Sequence, residues 1–482
     1  MRRTKIVATL GPATDSAPSL RRALAAGIDV VRLNFSHGSA SDHAARARSV
    51  REHAAVLGRD IGVLCDLQGP KIRTENFVGG YVDLVEGQEF ALDSALAPDA
   101  GDERAVGCAY QALSQDLNIG DVLLLNDGAI VLKVRDICGT RVDTEVSVGG
   151  RLSNRKGINR QGGGLSAAAL TDKDREDIVH AVALDAAFIA VSFPRDASDM
   201  IEARRLVREA GGHAQLVAKI ERAEALENLD ALITASDVVM VARGDLGVEI
   251  GDAELPGWQK RIIELAREKN RMVITATQMM ESMINSPITT RAEVLDVANA
   301  VMDGTDAVML SAETATGKYP VKVVEAVSRV CLGAEKSLHL RPNKFRLRPG
   351  KHFERTDEAI AMATSWTADQ MGAKAIVSLT ESGSTALMMS RTESDIPIYA
   401  LTQHERTRRR MSLCRGVHTV AFVPSRLDNL APLREAVSCL HERSVISEGD
   451  RVLLTKGDYT GPGGTNAMKI VTVGARIGGD EE

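Results

Sequence analysis

Eight short apolar segments alternate with longer amphipathic segments up to residue 311 of this chain. Short apolar segments separated by helical patterns are typical of parallel strands joined by crossover helices. Eight such units predict an α/β fold built on a (β/α)8 TIM barrel. The segments are KIVATL (5–10), VVRLNF (30–35), GVLCDL (62–67), AFIAVSF (187–193), QLVAKI (215–220), VVMVAR (238–243), MVITAT (272–277) and AVMLS (307–311).

The regular spacing is interrupted once, after the third segment. Residues 70–164 contain alternating patterns such as GDVLLLNDGAIVLKV between Gly and Asp turns. These patterns predict an all-β domain inserted into a barrel loop, which leaves residues 1–69 and 165–338 for the barrel itself. Loops at the functional face of a barrel often carry function, so we expect the insert to act as a lid.

The part of the chain after the barrel predicts a further domain. Residues 339–354 are basic and contain two prolines, which indicates a linker. Residues 355–482 contain five more strand patterns with helices between them, and these predict a C-terminal α/β domain. A chain of 482 residues is long enough for three domains of about 150 residues each.

Composition excludes several classes of protein. The chain has 44% hydrophobic residues, 26% charged residues and a net charge of -6, which argues against broad binding to nucleic acid or to an anionic membrane. Its six cysteines form no CxxC pair, so we expect reduced thiols and no zinc site. No apolar segment is long enough for a signal sequence or a membrane span, and we therefore predict a cytoplasmic protein.

Charged residues follow two neighbouring barrel strands. Lys219 and Glu221 end the fifth strand, and Asp245 follows the sixth. Two carboxylates beside a lysine suit a magnesium ion that shares its coordination with substrate and water. An isolated acid pair is more often solvated or ion-paired, but placement on adjacent strands at the functional face favours the metal site.

Two further residues at the strand ends allow alternative roles. Arg32 ends a hydrophobic strand, where a charge is costly unless it binds an anion or forms a structural ion pair with an acid. Thr277 offers a hydroxyl that could position or relay a proton, or could simply cap a helix beginning near Met279.

The segment KAIVSLTESGST predicts a strand, a polar loop and then a helix. Such a loop directs backbone N–H groups and hydroxyls towards an anion, and an ordinary Ser/Thr helix cap is the alternative. The residues that would surround one phosphate are Thr380, Ser382, Gly383, Ser384 and Thr385.

Nine sequence blocks, in this order, resemble the pyruvate kinase family and its bacterial members most closely. The resemblance covers essentially the whole chain. The blocks are MRRTKIVATLGPAT, VVRLNFSHG, DLQGPKIR, KGIN (156–159), AKIERAE, ASDVVMVARGDLGVEIG, ITATQMMESMI, PITTRAEVLDVANAV and DGTDAVMLSAETATGKYP.

The resemblance implies transfer of a phosphoryl group from phosphoenolpyruvate to ADP, giving ATP and an enolpyruvate that is protonated to pyruvate. By position, Glu221 and Asp245 would hold Mg²⁺ or Mn²⁺, and Lys219 would stabilise the phosphoryl group in transit. Arg32 would bind the phosphoryl oxygens, and Thr277 would lie near the protonated carbon. Thr277, a water chain, or Ser311 with Glu313 remain alternatives for the final proton donor.

The remaining family positions are assigned in the same way. The backbone of Ala242, Arg243 and Gly244, next to Asp245, would lie against the substrate. The nucleotide-binding positions are matched by Asn34, His37, Arg73 and Lys156, the last from the lid.

Potassium is the point at which this chain departs from many relatives. Many family members bind potassium near the substrate phosphate with residues matching Asn34, Ser36, Asp66 and Leu67, and the position of Leu67 is usually Thr. The position of Lys71 usually holds an acid in those proteins. We therefore predict activity without potassium, with the Lys71 ammonium in the place of the ion.

The resemblance also implies a homotetramer and an effector phosphate site at loop 380–385. Glu381 within this loop disfavours a heavily charged ligand, so we expect a sugar monophosphate or AMP rather than fructose 1,6-bisphosphate as activator. The basic segment ERTRRRM (405–411) could complete the pocket, although a solvated helix face or a subunit contact is favoured.

Two other functions remain as alternatives. A magnesium-dependent aldolase or lyase acting on pyruvate enolate could use the same acid pair, but it would not need a lid that carries Lys156. A catalytically inactive metabolite sensor would not need Lys219, Glu221, Asp245 and Thr277 together.

Overall fold

A computed structural model describes residues 1–70, 72–338, 353–392, 394–425, 430–457 and 463–475. Lys71 and most of the predicted linker, residues 339–352, lie outside the described residues. The predictions made for them therefore stay predictions.

The first barrel units form where the sequence alternation predicts them. Their strands are buried along their length except at Arg32 and Asn34, because neighbouring helices cover them. Ser16 and Ser39 cap the first two α-helices, because the side chain of each accepts a hydrogen bond from the backbone N–H three residues further on. The elements are β1 (Lys5–Thr9), a 3-10 helix (Pro12–Thr14), α1 (Ala17–Ala26), β2 (Val30–Asn34), α2 (Ala40–Val56) and β3 (Gly62–Asp66).

An insert of β-strands follows β3, and it also contains one short helix that the sequence patterns did not predict. In the described residues its strands form a six-stranded sheet in the order β11-β7-β8-β9-β5-β6 and a two-stranded sheet of β10 and β4 around their own apolar core. The elements are β4 (Tyr81–Leu84), β5 (Glu89–Asp93), β6 (Ala105–Gly107), α3 (Leu113–Asp116), β7 (Val122–Leu125), β8 (Ile130–Cys138), β9 (Arg141–Val148), β10 (Gly150–Ser153) and β11 (Ile158–Arg160).

The chain then completes the barrel. The elements are α4 (Asp172–Ala183), β12 (Phe188–Val191), α5 (Ala197–Glu209), β13 (Gln215–Ile220), α6 (Ala223–Glu227), α7 (Leu229–Ala235), β14 (Val238–Ala242), α8 (Arg243–Ile250), α9 (Leu255–Glu268), β15 (Met272–Ala276), a 3-10 helix (Glu281–Ile284), α10 (Arg291–Asp303), β16 (Ala307–Leu310), α11 (Ala312–Ala315) and α12 (Pro320–Leu338).

Within the described ranges, eight parallel strands close the barrel in the order β1-β16-β15-β14-β13-β12-β3-β2. Leu64 of β3 pairs directly with Phe188 of β12, so the insertion leaves the barrel register continuous. Because all these strands are parallel, their carboxyl ends share one face, where the charged residues follow β3, β13 and β14.

The C-terminal part of the chain forms a second α/β unit. Its described strands make one sheet in the order β19-β18-β17-β20-β21, in which only β21 runs antiparallel to its neighbour. The elements are α13 (Thr356–Gln370), β17 (Ala375–Leu379), α14 (Ser384–Ser390), β18 (Ile398–Thr402), α15 (Glu405–Met411), β19 (Val417–Ala421), α16 (Ala431–Glu442), β20 (Arg451–Gly457) and β21 (Thr465–Thr472). The predicted fold class is confirmed.

This C-terminal unit packs against the amino-terminal face of the barrel, opposite the charged strand ends. The buried Lys5 donates from Nζ to the carbonyl of Val417 at 2.6 Å. In α15, Nε of Arg408 lies 3.1 Å from Oδ1 of Asp60, just before β3. The arginine-rich segment 405–411 therefore contacts the barrel of its own chain, an arrangement that the sequence-based expectation did not include.

No helix among the described residues is long and apolar enough to cross a membrane.

Candidate active site

Lys219 lies at the centre of the charged cluster, at the carboxyl end of β13. Its Nζ lies 2.9 Å from Oε1 of Glu221 and 2.7 Å from Oγ of Ser192, and 3.4 Å from Oδ1 of Asp66. Ser192 in turn donates to the carbonyl of Leu67 at 2.8 Å. Residues that follow β3, β12 and β13 thus hold one ammonium group in a fixed position.

Asp66 joins this lysine to Arg32. Nε of Arg32 donates to Oδ2 of Asp66 at 2.7 Å, and its Nη1 donates to Oγ1 of Thr9 at 3.0 Å. The structural ion pair considered for Arg32 is therefore present. Because a guanidinium has five N–H donors, these two contacts still leave donors with which Arg32 could bind an anion.

The charges in this cluster shift the pKa values of Lys219 and Asp66. Burial opposes the charge on Lys219, but the carboxylates of Asp66 and Glu221 outweigh burial and hold the pKa of the ammonium above its ordinary value. Burial also opposes the charge on Asp66, yet Lys219 and Arg32 lower the pKa of that carboxyl. We therefore expect Lys219 to stay protonated and Asp66 to stay ionised at neutral pH.

Glu221 differs from Asp66, although both side chains are only 1% exposed. Burial raises the pKa of Glu221 to about 7, against the attraction of Lys219, and the nearby carboxylates of Asp245 and Asp66 raise it further. Its Oε2 accepts a hydrogen bond from the Phe193 N–H at 2.8 Å. A cation bound beside Glu221 and Asp245 would favour the ionised form of Glu221.

Asp245 lies in the first turn of α8, directly after β14. Among the described residues, no group of three or more His, Cys, Asp or Glu side chains is arranged to hold a metal ion. Two carboxylates fit a magnesium ion only if substrate or water oxygens complete its coordination, which is a common arrangement for this ion. The donor set therefore fits an ion that binds together with its substrate.

Thr277 follows β15 in a left-handed conformation. Its φ is 69° and that of Gln278 is 53°, a conformation that costs on the order of 1–3 kcal/mol for each non-glycine residue. Its Oγ1 accepts from the Gly244 N–H at 2.8 Å and donates to the Ala276 carbonyl at 2.6 Å. The 3-10 helix Glu281–Ile284 has no side-chain cap, so the alternative of a cap near Met279 was wrong.

The side chain of Arg243 is occupied by contacts within the protein. Its guanidinium donates to the carbonyls of Ala276 and Thr277 and to Asp296 of α10. Any contact of Arg243 with a substrate would therefore be made by its backbone, as would any contact of Ala242, which is buried at the end of β14.

Ser311 and Glu313 follow β16. The buried Glu313 accepts from the Ser311 N–H at 2.7 Å and from the Met280 N–H at 3.2 Å. Each carboxylate oxygen of Glu313 therefore already accepts a hydrogen bond from a backbone N–H. This arrangement disfavours Ser311 with Glu313 as the proton donor.

A cavity of about 250 Å³ lies between the lid and the barrel. Arg73, Lys156 and Asp245 line it, so the structure brings two of the predicted nucleotide residues together with one predicted metal ligand. Sequence reasoning missed the other charged residues that line this cavity, namely Asp127, Arg155, Arg222, Glu224 and Glu249. In the sequence, no pattern distinguishes these charged residues from the solvated surface residues of the lid and barrel.

The other predicted nucleotide and cation residues lie at the end of β2 and β3. Oδ1 of Asn34 accepts from the Ser36 N–H at 3.1 Å, and the exposed His37 donates from its N–H to the Asn34 carbonyl at 3.1 Å. Neither Asn34 nor His37 lines the cavity. Leu67 is 2% exposed and presents its carbonyl, not its side chain, to Ser192.

A second cavity, of about 220 Å³, lies in the C-terminal unit beside the loop 380–385. Four of the five predicted residues line it, namely Thr380, Ser382, Ser384 and Thr385. Gly383 has a φ of 86° and precedes α14, and its N–H donates to Oγ1 of Thr380 at 2.9 Å. Sequence reasoning missed His404 and Lys456, the basic residues in the described lining.

Comparison with known proteins identifies the family. The family model "Pyruvate kinase, barrel domain" matches residues 1–324, and "Pyruvate kinase, alpha/beta domain" matches residues 358–471. The chain belongs to the pyruvate kinase family. Membership makes it a phosphotransferase, and the resemblance inferred from the nine sequence blocks is confirmed.

Individual relatives of this family agree along almost the whole length. The chain is 54% identical over 478 residues to pyruvate kinase II of Salmonella typhimurium, covering 98% of this chain and 99% of the relative. It is 51% identical over 477 residues to a pyruvate kinase of Haemophilus influenzae, with the same coverage. A crystal structure of a pyruvate kinase from Cryptosporidium parvum superposes with a TM-score of 0.90 at 34% identity, covering 98% of this chain and 96% of the other.

Proposed function

We propose that this chain transfers the phosphoryl group of phosphoenolpyruvate to ADP, giving ATP and pyruvate. The observation that carries the proposal is the fixed Lys219 ammonium, held by Ser192, Asp66 and Glu221 at the carboxyl ends of the barrel strands. Phosphoryl transfer needs little covalent help from a protein but much positioning and neutralisation of charge. A protonated lysine in a rigid, buried setting supplies both.

Glu221 and Asp245 would hold the divalent ion, Mg²⁺ or Mn²⁺. When bound, the ion would neutralise charge on the substrate carboxylate and enol oxygen. Arg32 would bind the phosphoryl oxygens with the donors not used by Asp66 and Thr9. The backbone of Ala242, Arg243 and Gly244 would lie along the substrate.

Arg73 and Lys156 would bind the phosphates of the nucleotide across the lid cavity, because both basic side chains line it. Asn34 and His37 would contact the nucleotide from the end of β2. The lid would thereby keep water from the transferring group.

Thr277 would act after phosphoryl transfer, when the enolate carbon takes up a proton. Its hydroxyl, fixed by Gly244 and Ala276, could hold the water or proton that reaches this carbon. Deprotonation of a free threonine hydroxyl is not required, since the proton can pass through the hydroxyl.

We further propose that the enzyme needs no potassium. Asn34, Ser36 and Asp66 would be the remaining cation-binding positions, but the buried Leu67 brings no hydroxyl to this region. Asp66 already pairs with Arg32 and Lys219, which reduces its need for a further cation. Lys71 would provide the remaining positive charge.

Activation by a sugar monophosphate or AMP is proposed for the cavity beside loop 380–385. A cavity volume of about 220 Å³ suits a small ligand, such as a sugar monophosphate or AMP, better than a much larger ligand. Thr380, Ser382, Gly383, Ser384 and Thr385 would surround the phosphate. Lys456 adds positive charge nearby, and His404 adds a ring nitrogen that can bind a phosphate oxygen, whereas Glu381 in the same lining opposes a second phosphate.

A homotetramer is proposed as the assembly. Large apolar side chains are exposed at Ile288 and Leu295 near α10, and at Trp366 and Ile470 in the C-terminal unit. Exposed apolar groups in two separate regions are consistent with two kinds of subunit contact. Cytoplasmic location stays a prediction from the sequence.

The test is a stoichiometric assay. Purified protein with phosphoenolpyruvate, ADP and Mg²⁺ should form ATP and pyruvate in equal amounts, and a chelator should stop both. An aldolase would instead release pyruvate from a 4-hydroxy-2-oxo acid without ADP, and a metabolite sensor would catalyse neither reaction.

A further inference from the structure

The guanidinium of Arg243 is fully occupied by contacts within the protein. Nε donates to the Ala276 carbonyl at 3.1 Å, and Nη2 donates to the Thr277 carbonyl at 2.6 Å and approaches Sδ of Met279 at 3.6 Å. Nη1 lies 2.6 Å from Oδ1 of Asp296 and 3.4 Å from Oε1 of Gln259. A guanidinium has five N–H donors, and these five contacts leave none for a substrate.

The two carbonyls that Arg243 binds belong to the turn that carries Thr277. Thr277 and Gln278 both have positive φ angles, 69° and 53°. Non-glycine residues keep such a conformation only where the surroundings hold it in place. The planar fork of an arginine can bind two successive carbonyls at once, which the ammonium of a lysine cannot do with the same geometry.

The position of the Thr277 hydroxyl depends on this turn. Oγ1 donates to the Ala276 carbonyl at 2.6 Å, and this carbonyl is one of the two that Arg243 binds. The same Oγ1 accepts from the Gly244 N–H at 2.8 Å, and Gly244 is the neighbour of Arg243 in the chain. One hydrogen-bond partner of the hydroxyl is thus bound by the Arg243 guanidinium, and the other belongs to the residue that follows Arg243.

We propose that Arg243 is a positioning residue for proton transfer, which holds the Thr277 turn and is itself anchored by Asp296. This inference rests on the proposed function, in which the enolate formed by phosphoryl transfer takes up a proton at its methylene carbon. A C–H bond forms there, the electron pair comes from the carbon–carbon double bond, and the enolate oxygen becomes the ketone oxygen. Arg243 acts on this step through Thr277 and not on the transfer of the phosphoryl group.

The surroundings of Arg243 and Lys219 support the separation of proton transfer from phosphoryl transfer. Arg243 is 8% exposed, while the side chain of Asp296 is 35% exposed on α10. Lys219, the group placed at the phosphoryl, contacts Ser192, Asp66 and Glu221 and none of the residues that bind the Arg243 guanidinium. Loosening the turn should therefore disturb Thr277 before it disturbs Lys219.

The test compares two reactions of the same protein. Proton transfer is measured as loss of deuterium from methyl-deuterated pyruvate, followed by proton NMR with ATP and Mg²⁺ present. Phosphoryl transfer is measured as ATP formed from phosphoenolpyruvate and ADP. Arg243→Lys should lower deuterium loss relative to ATP formation by about tenfold, which is less than the about 10²- to 10⁴-fold effect of a general acid or base itself because Arg243 acts through Thr277. Asp296→Asn, at a partly exposed position that should be tolerated even if Arg243→Lys does not fold, should lower the same ratio by a smaller factor.

Arg204→Lys is the matched control. Arg204 also binds a carboxylate and a carbonyl, with Nη1 2.9 Å from Oδ2 of Asp237 and Nη2 2.9 Å from the Ala235 carbonyl, away from the strand ends. This variant should leave the ratio unchanged. Thr277→Val should lower it, and adding Arg243→Lys to Thr277→Val should lower it no further, because both changes affect one unit.

Equal loss of both reactions in Arg243→Lys and Asp296→Asn, or an unchanged ratio in both, would overturn this assignment and leave the proposed function standing. Additive effects of Arg243→Lys and Thr277→Val would also overturn it. Absence of both reactions from the unsubstituted chain would overturn the proposed function together with the assignment.

Discussion

Asp66 contacts both Arg32 and Lys219, with Oδ2 2.7 Å from Nε of Arg32 and Oδ1 3.4 Å from Nζ of Lys219. The carboxylate lies at the end of β3, while its partners lie on β2 and β13, so it joins strands that flank the insertion point of the lid. A single buried acid thereby links the two cations that we propose to act on the phosphoryl group.

The first prediction concerns this acid. Asp66→Asn keeps the size of the side chain but leaves two buried cations without their shared counter-charge. Breaking a buried ion pair in this way should lower the free energy of unfolding by about 3–5 kcal/mol, and kcat should fall as well because Arg32 and Lys219 lose their positions. Thermal unfolding and the rate of ATP formation measure the two effects.

Asp83→Asn is the control for Asp66→Asn. Asp83 also pairs with an arginine, Arg151, but both side chains are more than half exposed. Exposed ion pairs of this kind contribute little to the free energy of unfolding. Neither Tm nor kcat should therefore change in Asp83→Asn. Equal effects of the two substitutions would contradict the role given to Asp66.

The second prediction concerns pH and Glu249, at the end of α8. Burial raises the pKa of this carboxyl to about 7, although the Ala223 N–H donates to it at 2.9 Å. Its folded-state pKa therefore lies above the unfolded value of about 4.5, and the folded state binds the extra proton between these two values. The stability from Glu249 is present below about pH 4.5 and is lost as pH rises towards about 7.

Glu249→Gln does not titrate and keeps an oxygen that can accept from Ala223. The difference in Tm between this variant and the unsubstituted chain should therefore increase in favour of the variant from pH 5 to pH 7.5 and then level off. Calorimetry at several pH values measures this difference. A difference that stays constant over the whole range would contradict the raised pKa.

The third prediction concerns potassium. The unsubstituted chain should be fully active in a buffer that contains neither sodium nor potassium, with tetramethylammonium as counter-ion. Leu67→Thr combined with Lys71→Glu should create dependence on potassium, because the pair adds a hydroxyl and removes a positive charge. Strict dependence of the unsubstituted chain on potassium would be the contrary result.

The fourth prediction concerns the effector cavity. Ser384→Asp places a negative charge in the lining of the cavity, at the start of α14. The ratio of activity with and without a saturating activator should fall to about one, because the new carboxylate repels a phosphate at close range. Glucose 6-phosphate, ribose 5-phosphate, AMP and fructose 1,6-bisphosphate are each tested.

Ser438→Asp serves as control, since Ser438 is exposed on α16 and does not line the cavity. Activation should persist in this variant. A response of the unsubstituted chain to the bisphosphate alone would contradict the choice of ligand, and full activation of Ser384→Asp would contradict the choice of site.

The barrel was predictable because its signal is local and repeated. Apolar segments such as 215–220 and 238–243 are buried on both faces, so their composition alone indicates central parallel strands. The closing order of the strands then places Lys219, Glu221 and Asp245 at one face without further information. The neighbouring position of β3 and β12 follows from the barrel, because they are consecutive barrel strands, whereas the pairing of Leu64 with Phe188 is visible only in the structure.

Other features depend on contacts between distant segments and left no local pattern. Ser192 ends a predicted strand, but its contact with Lys219 depends on the side-chain geometry at that end. The orientation of the Arg243 guanidinium depends in part on Asp296, 53 residues further along the chain. The packing of α15 against the barrel depends on Asp60 and Asp185, which lie in separate turns at the opposite face.

The most direct measurement is ATP formation from phosphoenolpyruvate and ADP, followed by phosphorus NMR, in Lys219→Met beside Lys260→Met. Lys260 has a largely exposed side chain that pairs with Asp303 on the outer surface of the barrel. Loss of the buried ammonium should lower the rate by about 10²- to 10³-fold or more, the effect of removing one preorganised charge-stabilising donor, while Lys260→Met should keep the full rate. ATP formation at an undiminished rate in a folded Lys219→Met protein would contradict the account.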